Sequence, residues 1–228
     1  MSEPTEVRAA EIEGEYLHAR RVRIDRMFIV LLLVEYAAGI IAAITISPFA
    51  WEGKVHTIHT HVWVAVLGGA GIIVLPILMA LLRPGTVLTR HVIAASQMLS
   101  SALLIHLTGG RIETHFHVFG SLAFLAFYLD WPVLITATVV VAADHFLRGI
   151  FWPESVYGVA NPEWWRFLEH AGWVAFEDVF LIWSCFMARR EIAASAQRQA
   201  QIEQLSEMEQ LKSAALEMAL AEMQSASA

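Results

Sequence analysis

Six apolar runs separated by short polar breaks constrain this chain more than any other feature. They are Met27–Ile46, His61–Leu82, His91–Leu107, His115–Leu129, Pro132–Phe151 and Trp164–Met187. About 20 residues at ~1.5 Å rise cross a ~30 Å hydrocarbon core, and most of these runs approach that length. The breaks carry stop signals. Ser47-Pro48, Arg83-Pro84-Gly85, Thr108-Gly109-Gly110 and Asp130-Trp131-Pro132 each end one run. Glycines after the last apolar residue cap helices, and proline suits a first helical position. The expected fold class is all-α, an integral membrane bundle of about six transmembrane helices with a C-terminal amphipathic or coiled-coil helix.

Composition agrees with this reading. The chain is 57% hydrophobic and only 16% charged, against about 25% charged in an ordinary soluble domain. The charge gathers at the two ends, which divides the chain into a polar segment 1–26, a membrane domain 27–188 and a helical segment 189–228. No basic patch points to nucleic acid. The single cysteine, Cys185, excludes an internal disulfide and a thiolate cluster. Residues 1–24 lack the apolar stretch of a signal peptide.

Lysine and arginine bias sets the expected orientation. Arg20, Arg21, Arg23, Arg26, Arg83, Arg90, Arg189 and Arg190 fall on one side, against Lys54, Arg111, Arg148 and Arg166 on the other. Both termini are therefore expected in the cytoplasm, with the bundle in a bacterial inner membrane.

Counting along the spans then groups the histidines. His106 lies 16 residues beyond Arg90, His115 15 before Asp130, His145 13 beyond Pro132, and His170 17 before Met187. At ~1.5 Å per residue all four sit roughly 20–25 Å from the inner boundary, in the outer third of the membrane. His56, His59, His61 and His117 belong to the same end, whereas His18 and His91 belong to the other. Imidazole in lipid is costly, and several at one depth point to a metal or polar centre. The candidate ligands are His56, His59, His61, His106, His115, His117, His145 and His170. Imidazole suits zinc, copper and iron, and haem b is the alternative cofactor. Interfacial histidines that bind nothing are the plain alternative.

Four features surround that set. If WEGKVHTIHT is helical, His56 and His59 share a face, with His61 about 200° away from His59; an irregular connector would let all three converge. Glu113, Asp144 and Glu169 are candidate supports for the imidazoles. Adjacent residues on a helix do not face each other, so Asp144 is expected to serve another helix's histidine or Arg148, and Glu169 another histidine or Arg166. Glu35 and Glu177 lie mid-span, as proton-passing groups or as protonated structural carboxyls.

The tail reads as one long helix. Ile202, Leu205, Met208, Leu211, Ala215 and Met218 recur at three- to four-residue spacing, without proline or glycine. That stripe fits pairing with a second copy, a homodimer.

The segment HLTGGRIETHFHVFGSLAFLAFYLDWPVL, with the later ADH and FLEHAGWVAFEDVFL, resembles the polytopic sensor modules of bacterial signalling proteins. Those modules precede PAS, diguanylate-cyclase, chemoreceptor or histidine-kinase output domains. The resemblance covers most of residues 25–190, and G-x-x-E-x-H-F-H followed by Y-x-D-W is its most specific part. It carries over Glu113, His115, His117, Asp130, Trp131, His145 and His170. KSAALEMAL is similar to the helix that leads into a PAS domain in such receptors. The resemblance implies a membrane sensor that relays a ligand or redox signal to a cytoplasmic output domain or partner, and not an enzyme in itself. No output domain follows here, which leaves a truncated receptor or a free-standing sensor. Two other functions stay open: a metal-dependent membrane oxidase or hydroxylase, and a proton-coupled transporter or electron carrier.

Overall fold

The computed structural model describes residues 3–226, and nearly all of them are helical. In chain order the elements are α1 (Glu3–Ile46), β1 (Phe49–Glu52), β2 (Val55–Ile58) and α2 (Thr60–Trp63). A π turn (Val64–Gly68) joins α2 to α3 (Gly69–Leu82). Then come α4 (Val87–Leu107), α5 (Ile112–Leu125) with a 3₁₀ turn (Ala126–Tyr128), α6 (Trp131–Phe151), the short α7 (Glu154–Tyr157) and α8 (Arg166–Ala226). Two compact units are formed, one from residues 19–186 and one from residues 1–18 with 187–228. Helices α1 and α8 contribute to both.

The connector after α1 is a β-hairpin and not a helical turn. Phe49 pairs with Ile58, and Glu52 with Val55, which leaves a two-residue loop. Gly53, at φ 63, takes the left-handed conformation that such a loop needs at its first position. The aromatic and β-branched residues of both strands suit extended backbone better than helix.

In the unit of residues 19–186, α4 is the inner helix, packed against α3, α5 and α6. Ile93, Ala94, Met98 and Ile105 of α4 meet Phe28 of α1, Leu122 and Leu125 of α5, and Leu134 and Ala137 of α6 in one apolar core. The same helix buries Thr89, Arg90, Ser96, Gln97 and Ser101. The outside is the reverse. Val30, Leu33 and Val34 on α1, Leu75 and Leu78 on α3, and Val179 and Trp183 on α8 are all exposed. Polar groups inside an apolar coat are the pattern of a protein solvated by lipid.

Among the described residues, four helices are long and apolar enough to cross a membrane: Pro4–Ile46, Thr60–Leu82, Trp131–Phe151 and Arg166–Ala226. Helix α4 falls outside that set because its buried polar residues dilute its hydropathy. Helix α5 falls outside it because it has only 14 residues.

Two glycine sites set close approaches. A Cβ on Gly69 would lie 2.8 Å from the Tyr36 ring. There the Tyr36 hydroxyl donates to the Val66 carbonyl at 2.9 Å, within the π turn. A Cβ on Gly110 would lie 2.3 Å from the Gly158 nitrogen, so the α4–α5 turn touches the backbone after α7.

In the unit of residues 1–18 and 187–228, two helical segments pair. Thr5 donates to Gln204 at 2.7 Å, Arg8 meets Glu203 at 2.9 Å, and Arg189 meets Glu13 at 3.2 Å. Ala9, Leu17, Ala196 and Ala200 fill the seam. Small residues let the helices come close, and the ion pairs fix register.

Candidate functional site

Three of the expected ligands form a cluster. His115 lies in the first turn of α5, His145 near the end of α6 and His170 in the first turn of α8. Ring centroids are 5.4 Å apart for His115 and His145, 5.2 Å for His115 and His170, and 6.0 Å for His145 and His170. His115 and His145 are each only 5% exposed. Tyr157 stacks edgewise on His170 at 5.5 Å.

Each ring is held in the same way. Nδ1 of His115 lies 2.9 Å from the Arg111 carbonyl, that of His170 2.9 Å from the Arg166 carbonyl, and that of His145 3.1 Å from the Val141 carbonyl. A carbonyl only accepts, so each Nδ1 carries the proton and donates it. In the neutral ring the proton is then missing from Nε2, which keeps a lone pair. The Nε2 of His115 is buried without a hydrogen-bond partner. Three rings anchored through Nδ1 thus cluster with centroids 5.2–6.0 Å apart.

The carboxylates behave less simply than the spacing foretold. Asp144 is gripped by Arg148 at 2.6 and 2.8 Å, one helical turn on. It also lies 3.3 Å from Nδ1 of its own neighbour His145. The expectation that adjacent residues point apart fails here because the imidazole bends back along α6 toward Val141. Arg148 further binds the Ala102 carbonyl at 3.2 Å and the Ser155 hydroxyl at 3.3 Å, tying α6 to α4 and α7. Glu113 and Glu169 are exposed, and Arg166 pairs with Glu163 at 3.0 Å.

The other five histidines go to different places. His59, His61 and His106 form a row with ring centroids 4.4 and 4.9 Å apart, and Trp152 continues it 4.8 Å from His106. His59 Nδ1 accepts from the His61 backbone nitrogen at 3.0 Å and caps α2. His56 sits on β2, beside Trp51 and Phe49. His117, two residues past His115, points away from the cluster, as its ~200° offset requires. Its Nε2 lies 3.2 Å from Glu35, and its Nδ1 2.8 Å from the Ser101 hydroxyl. Gln97 donates to Glu35 and, at 3.1 Å, to Ser121. The expected single layer is therefore three groups: a triad, a row and a buried network.

A cavity of about 830 Å³ opens beside the triad, between α5, α6 and α8. Its walls are mainly apolar, with Phe119, Val141, Phe167, Trp173 and Val174 among them. His115, His145, His170 and Tyr157 line it together with Thr138 and Glu177, which lies two turns of α8 beyond His170. Asp178, next to Glu177, is buried and accepts from Thr138, and one of its oxygens has no hydrogen-bond partner. Neither Asp178 nor Gln97 was foreseen. Depth alone would have flagged Asp178, which shares its level with Glu177, whereas an isolated Gln97 gives no periodic signal.

Among the described residues, no three His, Cys, Asp or Glu groups stand at closed coordination distances. The triad's ring centroids are 5.2–6.0 Å apart. Two imidazoles on one tetrahedral ion, bound at about 2.0–2.1 Å, hold their centroids about 5 Å apart.

Comparison with known proteins gives one informative similarity. The chain is 32% identical over 114 residues to the transducer protein Htr8 of Halobacterium salinarum, across 48% of this chain and 18% of that protein. It thus matches less than a fifth of that relative's length. No described protein family matches the chain, and no solved structure does.

Proposed function

We propose that this chain is a membrane sensor and signal transducer whose sensing centre is a transition-metal ion held by His115, His145 and His170. The observation that carries this reading is the cluster of three imidazoles, each anchored by Nδ1, with ring centroids 5.2–6.0 Å apart. The Nε2 of His115 is a buried acceptor without a donor, which costs about 1–3 kcal/mol. A cation at the centre removes that penalty. Three protein nitrogens with one open position is a common arrangement for zinc, and imidazole suits copper and iron as well. Three mutually adjacent rings favour an ion over haem b, because the porphyrin needs a slab of free space between opposed ligands. His59, His61 and His106 stand apart as a flanking group with His56, and Asp144 fixes the ring of His145.

The similarity to a transducer supports the signalling role. In this reading the six apolar runs of the sequence all cross the membrane, with α4 protected from lipid by its neighbours and the short α5 extended by its 3₁₀ turn. Both termini face the cytoplasm of a bacterial inner membrane. Helix α8 pairs with its copy in a homodimer through Ile202, Leu205, Met208 and Leu211, which are all exposed. The dimer passes the change to a signalling output partner.

Elemental analysis and absorption spectroscopy of the purified protein test the centre. About one transition-metal ion per chain is expected, and His115→Ala with His145→Ala should release most of it while the bundle stays inserted. Wild-type protein that retains no metal after loading with zinc, copper or iron would remove the centre from this account.

A further inference from the structure

We infer that the cavity between α5, α6 and α8 binds a lipophilic primary amine in its ammonium form, with the head on the Glu177 carboxylate and the hydrocarbon chain along the apolar walls. The inference is independent of the metal reading, because it concerns the end of the cavity away from the triad. Glu177 lies seven residues beyond His170 on α8, and Thr138 seven before His145 on α6. At ~1.5 Å per residue both stand about 10 Å from the triad along their helices. Both line the cavity, as does Phe119, one turn of α5 past His115.

Charge argues for the head. A carboxylate in the middle of a span is costly unless it is paired. Among the described residues no ion pair includes Glu177. Its Oε2 is buried without a hydrogen-bond partner. The arginines at the outer end are already engaged, Arg166 by Glu163 at 3.0 Å and Arg148 by Asp144. Donors are short as well. The Thr138 hydroxyl has one hydrogen and two acceptors in reach, the Leu134 carbonyl at 3.0 Å and Asp178. Asp178 is buried, and its Oδ1 has no partner either. An ammonium brings a positive charge and three N–H donors to an end of the cavity that lacks both. A neutral alcohol brings one donor and no charge. Trp173, one turn of α8 before Glu177, and Phe119 line the cavity there, and aromatic faces attract a cation.

Position and size argue for the chain. Phe116, Trp173 and Phe176 line the cavity and are also exposed on the outside of the bundle. The cavity thus opens through apolar side chains that lipid covers, and an amphiphile enters it from the membrane. Its volume of about 830 Å³ exceeds the needs of a small amine. Each methylene buried there strengthens binding about fourfold.

Trp173 in the wall gives the readout. The probe is dodecylamine brominated along its chain, added at pH 7 to the purified full chain in zwitterionic nanodiscs. Equally brominated dodecanol is the neutral control and brominated dodecanoate the anionic one. The expected result is saturable quenching that Trp173→Phe removes, about tenfold tighter for the amine than for the alcohol, and weakest for the carboxylate. Glu177→Gln keeps the shape and removes the charge, so it should bring the amine to the level of the alcohol while quenching by the alcohol persists. A Glu177 that carries its own proton would take amine and alcohol alike. Equal binding of those two by the wild-type protein, tighter binding of the carboxylate, or an amine preference unchanged in Glu177→Gln would each overturn the assignment. Metal content of the same samples tests the triad separately: its absence leaves the amine site standing, and failure of the amine leaves the metal reading intact.

Discussion

At the scale of single residues, buried polar groups here are organised in pairs that tolerate no loss of one member. Arg90 and Asp130 meet at 2.5 Å, with side chains only 6% and 16% exposed. Removing one partner of such a pair costs about 3–5 kcal/mol, because the other charge stays buried, while replacing both by apolar residues is often neutral. Asp130→Ala should therefore lower thermal stability sharply, and Arg90→Met with Asp130→Leu should recover most of it. The comparison of Tm values in one detergent checks this. The Glu35 network follows the same logic with a proton added. The Ser101 hydroxyl donates to the Gln97 carbonyl at 3.0 Å, so its oxygen accepts from His117 Nδ1. One proton then lies between His117 Nε2 and Glu35. Glu35→Ala removes an acceptor from both His117 and Gln97 and should cost about 1–3 kcal/mol, whereas Glu35→Gln should cost less. Infrared difference spectra on His117→Ala, read at the carboxyl stretch of Glu35, report which group holds the proton.

At the scale of elements, turns and seams decide where the triad stands. Gly109 and Gly110, at φ 70 and 73, end α4 and start the approach to α5. This was legible in the sequence, because a glycine pair after an apolar run is a helix stop. The contact that makes Gly110 irreplaceable was not, since Gly158 is 48 residues away. Gly110→Ala places a methyl against backbone and strains a left-handed residue. It should lower both Tm and bound metal, and Gly172→Ala, whose Cβ would meet nothing within 4 Å, should leave bound metal unchanged. The hairpin was missed for a related reason: periodicity over ten residues of Trp, His, Val and Ile does not separate a short strand from a helical turn. In the helix pair formed by residues 1–18 and 187–228, the hydrogen bond from Arg8, then that from Gln199, holds the Glu203 carboxyl below its usual range. A depressed carboxylate stabilises the fold above its ordinary titration range and loses that contribution as pH falls. Both side chains are solvent-accessible, so the effect is small and screened by salt.

At the scale of the whole molecule, the ends of several helices follow from the apolar runs. Helix α1 stops at Ile46, α4 at Leu107 and α6 at Phe151, where the sequence placed its breaks. Depth along a helix was legible too, but rotation about its axis was only half so. Depth put His115 and His117 in one layer, and the turn of α5 sends one to the triad and the other to Glu35. Rotation depends on which neighbour each face meets, and that is a long-range property. The division into two units yields the last prediction. Residues 19–186 carry the triad, the cavity and the main apolar core. Residues 187–228 pack with residues 1–18 through Glu203, Gln204, Ala196 and Ala200. Deleting residues 191–228 removes those partners but none of the core or the triad. On the proposed reading, the shortened protein should bind metal as the full chain does and should lose output to a signalling partner. Loss of metal on truncation would mean that the centre depends on the distal helix. Persistence of output without that helix would move the signalling surface to some other part of the bundle.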